Sequence, residues 1–380
     1  MTPSRSLRSQ ALDMLRFPLA VVVVIAHTFC LDDVLASGTV YRLTDYQLFM
    51  DANIFIDAFL RGISVPIYFF ISGYVFFASI DFTADVYKKK LQNRFKSLFI
   101  PYIIWNALAV FFVIFKQLPI FSSFLSYSDS ALDLSFRNII SCFWIYDGSL
   151  NPDPSVEGGG LIEGAYMPIN TALWYLRDLM IIVLSTPVIY LLIKKLKVYA
   201  LCLLLAVYMG SLHYNWPISM IAGGYFFFAW GAYMSIYRID MIVAFKRWFR
   251  FSVIAYIINC IIYIVLYYRA PHIAGWIKVL NAFFALVACF NIAVWILQNT
   301  KVRLSPFLAA SSYFIYISHC LFVGRLTKVL FMIIKPDDGF EILLVYLLTV
   351  VILVLSLLFV FYLLKRYCPS VLKVVAGRKS

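Results

Sequence analysis

Charge is what this 380-residue chain has least of. Asp, Glu, Lys and Arg make up 13% of it, against about 25% in a soluble domain. Histidine is rarer still, with four residues. This scarcity excludes an ordinary water-soluble globule, and a hydrophobic share of 63% with mean hydropathy +0.88 indicates a polytopic membrane protein. Several reaction signatures are also missing. The chain has no Walker A loop, no HExxH pair and no Gly-x-Ser-x-Gly elbow, so nucleotide hydrolysis, zincin chemistry and hydrolase-elbow chemistry lack support. Seven cysteines are present without a CxxC. Cys202, Cys260, Cys289 and Cys320 lie in apolar segments, where a free thiol serves as a small packing residue. Neither a disulfide framework nor a metal site is expected; Cys30 and Cys142 are the two that an oxidising compartment could pair. No internal repeat is visible, so the inverted symmetry of many transporters is not evident.

What is present is a series of ten apolar segments, at 12–31, 60–80, 97–116, 172–193, 198–212, 218–236, 251–268, 276–297, 306–334 and 342–364. The connections alternate in charge. Arg5 and Arg8 precede the first segment; Lys88, Lys89, Lys90, Arg94 and Lys96 separate the second from the third; Lys194, Lys195 and Lys197 follow the fourth. Arg238, Lys246, Arg247 and Arg250 follow the sixth, Lys301 and Arg303 the eighth, and a basic tail, 365–380, ends the chain. The first loop is acidic instead, with Asp32, Asp33, Asp45, Asp51 and Asp57. Basic loops stay cytoplasmic. The expected fold is therefore all-α: one domain, 1–380, of about ten transmembrane helices with both termini in the cytosol. The net charge of +13 is then positive-inside charge, and no nucleic-acid partner is expected. The long connection 117–171 falls on the outer side, and reads equally as a lid over an outward-facing site and as a surface loop.

The first apolar segment carries the most informative pair. Its start resembles a signal peptide ending at VLASG, but the apolar run exceeds a typical h-region and Arg16 interrupts it, so it reads as a retained span. Arg16 and His27 lie eleven positions apart, about three turns or 16 Å along a helix, and project from the same face. Ionisable groups within a span are costly and normally face a bundle interior or a water-filled path. The structural alternatives are an Arg that snorkels or pairs with Asp13, three residues earlier, and a His that bonds a neighbouring helix.

Other polar positions are weaker signals. Ser72-Gly73, within an aromatic run, reads as close helix packing. Arg94 and Lys96 lie at the mouth of the third segment, where cations would suit a phosphate-bearing donor as well as they serve topology. Arg177 and Asp178, adjacent on a helix, point about 100° apart and need separate partners; an interhelical network is the more frequent arrangement. His319, in SSYFIYISHC, weighs slightly toward a histidine satisfied by a neighbouring hydroxyl. His213 and His272 fall in short outer loops and read as solvated.

Five stretches together resemble the membrane acyltransferase-3 family of bacterial inner-membrane O-acyltransferases. They are LDMLRFPLAVVVVIAH, with Arg16, ten intervening residues and His27; FFISGYVF at 69–76; RFKSLFIPYIIW at 94–105; LWYLRDL at 173–179; and SYFIYISH at 312–319. The first is specific and the rest persuade by their order. The chain resembles the branch that includes enterobacterial common antigen acetyltransferase and the intercellular adhesin succinyltransferase. The resemblance implies transfer of an acyl group, acetyl before succinyl, from cytosolic acyl-CoA as co-substrate to a hydroxyl of an envelope glycan. It implies His27 as general base, a role that suits an imidazole, with Asp13 orienting Arg16. Arg94, Lys96 and Arg16 would hold the donor phosphates. Trp174, Tyr175, Arg177 and His319 would line the acceptor side. The bilayer, acyl-CoA and the glycan are the implied partners. The extra span and hydrolase-like domain fused in some relatives have no counterpart after the tenth segment. A transporter or flippase for a lipid-linked sugar, and a sensor with a structural polar core, remain rival readings.

Overall fold

In the computed structural model the described residues are 7–29, 33–78, 82–116, 135–144, 167–214 and 218–377. Arg5, Cys30, Asp32, Arg378, Lys379 and the loop stretches 117–134 and 145–166 lie outside them. Helices dominate: α1 (Leu7–Thr28), α2 (Gln47–Phe59), α3 (Ser64–Phe77), α4 (Ala84–Arg94), α5 (Ile100–Lys116), α6 (Phe136–Ser141), α7 (Trp174–Leu184), α8 (Thr186–Leu196) and α9 (Val198–His213). They continue with α10 (Ser219–Ile236), α11 (Met241–Lys246), α12 (Phe249–Leu266), α13 (Pro271–Asn299), α14 (Pro306–Ser318), α15 (Val323–Ile334), α16 (Gly339–Tyr367) and α17 (Pro369–Val375). The strands are a small hairpin, β1 (Val34–Ala36) with β2 (Thr39–Tyr41). Its turn residues Ser37 and Gly38 both have positive φ, the pairing a two-residue type I′ connection requires.

The described residues of all ten apolar segments fall largely on helices. Among the described residues six helical spans are long and apolar enough to cross a membrane, and eight if two bent pairs each count once. The pairs are Thr171–Leu184 with Thr186–Leu196 and Pro306–Leu321 with Val323–Ile334, each bent by 62°. The two remaining segments are α9, which is shorter, and α10, where glycine, serine and tyrosine dilute the apolar residues.

Three expectations need correction. The acidic loop after the first segment is in large part helix α2, which carries Asp51 and Asp57. Its apolar positions (Phe49, Ile54, Ile56 and Ala58, all buried) were masked by the aspartates between them. The basic connection between the second and third segments is helical too: α4 runs through a π-helical turn, Phe95–Phe99, directly into α5. The tail beyond the last span is not simply a basic extension. It forms α17, where Trp105 Nε1–H donates to Val375 O at 2.9 Å and Gly377, with φ +59°, lies against the Ser97 backbone.

The chain forms two compact units. The first comprises residues 1–23, 54–93 and 178–312. Its centre is the pairing of α3 with α10, which meet backbone to backbone. A Cβ on Gly73 would lie 1.9 Å from Phe228 O, and one on Gly231 would lie 2.0 Å from Phe70 O. Small residues allow such an approach where helices cannot rely on a hydrophobic driving force, and packing is the role expected of Gly73. Tyr68 O–H donates to Arg16 O at 2.9 Å and Ser64 O–H to Leu19 O at 3.2 Å, fastening α3 to α1. The α12–α13 hairpin holds a buried ionic group: Asp57 accepts from Lys278 at 2.6–2.8 Å, from Arg61 at 3.2 Å and from the Tyr263 hydroxyl.

The second unit comprises residues 24–53, 94–177 and 313–380. One aromatic cluster fixes the last turn of α1: Phe29 stacks on Phe49 at 5.9 Å and tilts onto Tyr346 at 5.5 Å. Asn53 Nδ2–H donates to Phe29 O at 3.0 Å. These contacts hold the turn that bears His27.

Candidate active site

The expected site residues separate into groups. Asp13 and Arg16 belong to the first unit and form an i,i+3 ion pair at 2.8 Å, with 43% of the Arg16 side chain exposed. The remaining candidates all belong to the second unit. Arg94 is half-buried at the end of α4 and Lys96 is exposed in the π-helical turn. Such one-turn insertions recur at functional sites. Tyr313 O–H donates to Ser97 O at 3.1 Å across this turn. Six residues on, about 9 Å along the helix, stands His319.

His319 is fully buried. Among the described residues its Nδ1 partners are backbone carbonyls, not the hydroxyl expected. That atom lies 2.7 Å from Tyr316 O and 3.2 Å from Ile315 O, both in the preceding turn of its own helix. Carbonyl oxygens only accept, so Nδ1 carries the proton of the neutral ring and Nε2 keeps its lone pair. Nε2 lies 3.3 Å from Cys320 Sγ. The His27 ring, half-buried, is centred 5.1 Å from the His319 ring. One ligand atom from each of His27, His319 and Cys320 falls within 4.8 Å of the other two. Three such atoms can converge on a cation, although the sequence suggested no metal site. Cys320, which sequence reasoning assigned to packing, is a central member; the one available signal was its position directly after His319.

The local folding of the chain explains the convergence. Pro306–Leu321 ends in a 3-10 turn, His319–Leu321, at the 62° bend. Irregular backbone at membrane depth persists only where protein buries it or where it lines a water-filled cavity. Across from it, the buried Asn170 bridges two helices: its N–H donates to Asn106 Oδ1 at 3.2 Å and its Nδ2–H to Ile317 O at 3.3 Å. Asn170 thereby sets the start of the helix Thr171–Leu184. Thr171 O–H reaches Cys320 Sγ at 3.8 Å, and the Tyr316 hydroxyl donates to Ala172 O.

The three expected acceptor residues following Thr171 diverge. Trp174 opens α7 half-buried, Tyr175 is buried with its ring edge-on to Tyr316 at 5.8 Å, and Arg177 turns away to Trp144. Arg177 donates to Trp144 O at 2.8 Å and sits over its ring, which ties the loop segment 135–144 to α7. Asp178, adjacent but facing elsewhere, is buried in the first unit. Cys142 is a buried free thiol whose carbonyl accepts from Ile169 N–H at 2.8 Å.

A helical, multi-span architecture and a His–His–Cys cluster around the buried His319 define a membrane-embedded protein with the groups for acyl or proton transfer. The family profile described as an acyltransferase domain matches residues 9–365, and the chain belongs to this membrane acyltransferase-3 family, an O-acyltransferase of the multi-pass membrane type. Searches of curated proteins and of solved structures returned no significant match.

Proposed function

We propose that the protein O-acylates an envelope or exported glycan at the bacterial inner membrane, taking the acyl group from cytosolic acyl-CoA. Acetyl is the first expectation and succinyl the alternative. The observation that carries this reading is the position of His27. The histidine of the Arg-x10-His signature stands beside His319 and Cys320, half-buried, where a substrate hydroxyl can approach an imidazole nitrogen. His27 acts as general base on that hydroxyl, a step worth about 10²–10⁴-fold in rate. In the second unit Arg94 and Lys96 supply positive charge for the donor phosphates; in the first, Asp13 holds Arg16 by their ion pair. Trp174, Tyr175 and Arg177 shape the acceptor side, with Arg177 acting through its hold on Trp144.

The test is mass spectrometry of surface glycans from cells carrying the wild-type protein or an equally expressed His27→Ala variant. One acyl increment per modified unit should vanish in the variant, and its mass names the donor. Identical glycans in the two strains would refute the assignment of His27.

A further inference from the structure

We propose that Cys320 is the nucleophile that carries the acyl group from donor to acceptor, with His319 as its base, so that transfer runs through an S-acyl-cysteine. This inference rests on the acyl-transfer reading above and adds a covalent relay to it.

The geometry is that of an activated thiol. A nucleophile is recognised by a base within hydrogen-bond reach that is itself oriented by a third group. Here the base is His319, whose Nε2 lies 3.3 Å from Cys320 Sγ. The orienting groups are the Tyr316 and Ile315 carbonyls on Nδ1, which take the place a carboxylate or amide holds in other triads. They fix the tautomer with its lone pair toward sulfur, so the thiol donates to Nε2. His319 is fully buried, and Cys320 is the more exposed of the two.

A second feature is independent of the histidine. The helix Thr171–Leu184 begins at the sulfur, with the Thr171 hydroxyl 3.8 Å from Sγ. A helix N-terminus favours negative charge, and reactive cysteines sit at such ends and beside histidines. The same end can stabilise the oxyanion that forms on the acyl carbon's oxygen. A His27 ring nitrogen also lies within 4.8 Å of Sγ, so the acylated sulfur and the base for the acceptor share one place.

The steps balance as follows. Cys320 gives its thiol proton to His319 Nε2 as Sγ attacks the thioester carbonyl of acyl-CoA. The carbon–sulfur bond to CoA breaks, and the His319 proton leaves with the CoA thiol. One thioester replaces another, so the activation of the acyl group is kept. The acceptor hydroxyl then gives its proton to His27 while its oxygen attacks the Cys320 thioester. The bond to Sγ breaks, Sγ takes up the proton from His27, and an ester and a free Cys320 thiol remain.

The experiment uses the full-length protein purified in detergent with acetyl-CoA and, separately, succinyl-CoA, in the absence of acceptor. One equivalent of CoA thiol should be released per protein as a burst. Acid-quenched digests should carry the acyl group on the Cys320 peptide, and neutral hydroxylamine should remove it. Cys320→Ala should lose about a thousand-fold or more in glycan acylation in cells, while Cys202→Ser, on an exposed cysteine, keeps wild-type labelling. Thermal unfolding of Cys320→Ser, which preserves volume, separates loss of chemistry from loss of fold. Wild-type glycan acylation by Cys320→Ala would overturn the relay and leave the transferase reading intact. So would a quenched, active wild-type protein with no acyl group on Cys320. A stoichiometric zinc ion in the purified protein would overturn it as well, by making the cluster a metal centre. Glycans that carry no acyl group even with the wild-type protein would instead remove the reading on which the relay rests.

Discussion

Gly73→Ala offers the sharpest structural test because the contact it would violate is backbone on both sides. The added methyl would sit 1.9 Å from Phe228 O, whereas a carbon–oxygen contact normally rests at about 3.3 Å or more. The helices α3 and α10 would have to part by roughly 1.4 Å along their contact. No rotamer change relieves a clash with a carbonyl, so the cost belongs at the upper end of the overpacking range, about 3 kcal/mol. At about 2 °C per kcal/mol for a large chain, the apparent Tm in detergent should fall by about 6 °C. Gly210→Ala is the control: its Cβ would meet nothing within 4 Å, and helix propensity favours Ala by about 1 kcal/mol, so Tm should rise slightly. Adding Gly231→Ala to Gly73→Ala should cost less than the sum of the two, since helices parted for one methyl have made room for the other. The reasoning fails if Gly73→Ala melts within about 1 °C of wild type, or if Gly73→Ala and Gly210→Ala shift Tm in the same direction.

Asp57→Ala strips the carboxylate from Lys278 and Arg61 and should destabilise by about 3 kcal/mol, the low end for a broken buried pair because a third of the Lys278 side chain is exposed. Thermal melts should show at least half of that recovered in Asp57→Asn/Lys278→Met, and no recovery would argue against a paired charge. Gly377→Ala meets Ser97 O at 2.3 Å with φ +59°, so α17 should loosen from Trp105; protease cleavage between 365 and 377 should accelerate severalfold, and an unchanged pattern would contradict the packing. Burial pushes the Cys142 thiol up to about 11. A raised pKa leaves less thiolate at any given lower pH, so maleimide labelling of Cys142 should be negligible at pH 8, where exposed Cys368 reacts, and should rise only as pH approaches 11. Equal labelling of both at pH 8 would refute this.

The positions of the apolar segments were legible because a span is a local property: about twenty apolar residues satisfy both the bilayer and their own backbone bonds. Helix α2 was misread for the same reason. Its aspartates looked like loop charge, and Lys278 and Tyr263, from helices about two hundred residues away in the chain, help explain how Asp57 lies buried. The bends at the starts of α8 and α15 were equally hidden. Each lies inside a continuous apolar run, so hydropathy records a single span where the backbone turns by 62°.

The candidate site divides along the same line. Taken alone, the sequence determines a helical, multi-pass protein of the acyltransferase-3 family, because composition, charge alternation and the Arg-x10-His spacing are all read within one helix or one loop. It singles out His27 and His319 separately and passes over Cys320. Tertiary structure decides that His27, from the first helix, meets His319 and Cys320 at the break after α14, and that the helix Thr171–Leu184 begins beside the same sulfur. No local rule can supply this. The tautomer of His319 follows from two carbonyls in its own turn, but what its free nitrogen faces is set by how helices pack, and packing depends on side chains from opposite ends of the chain.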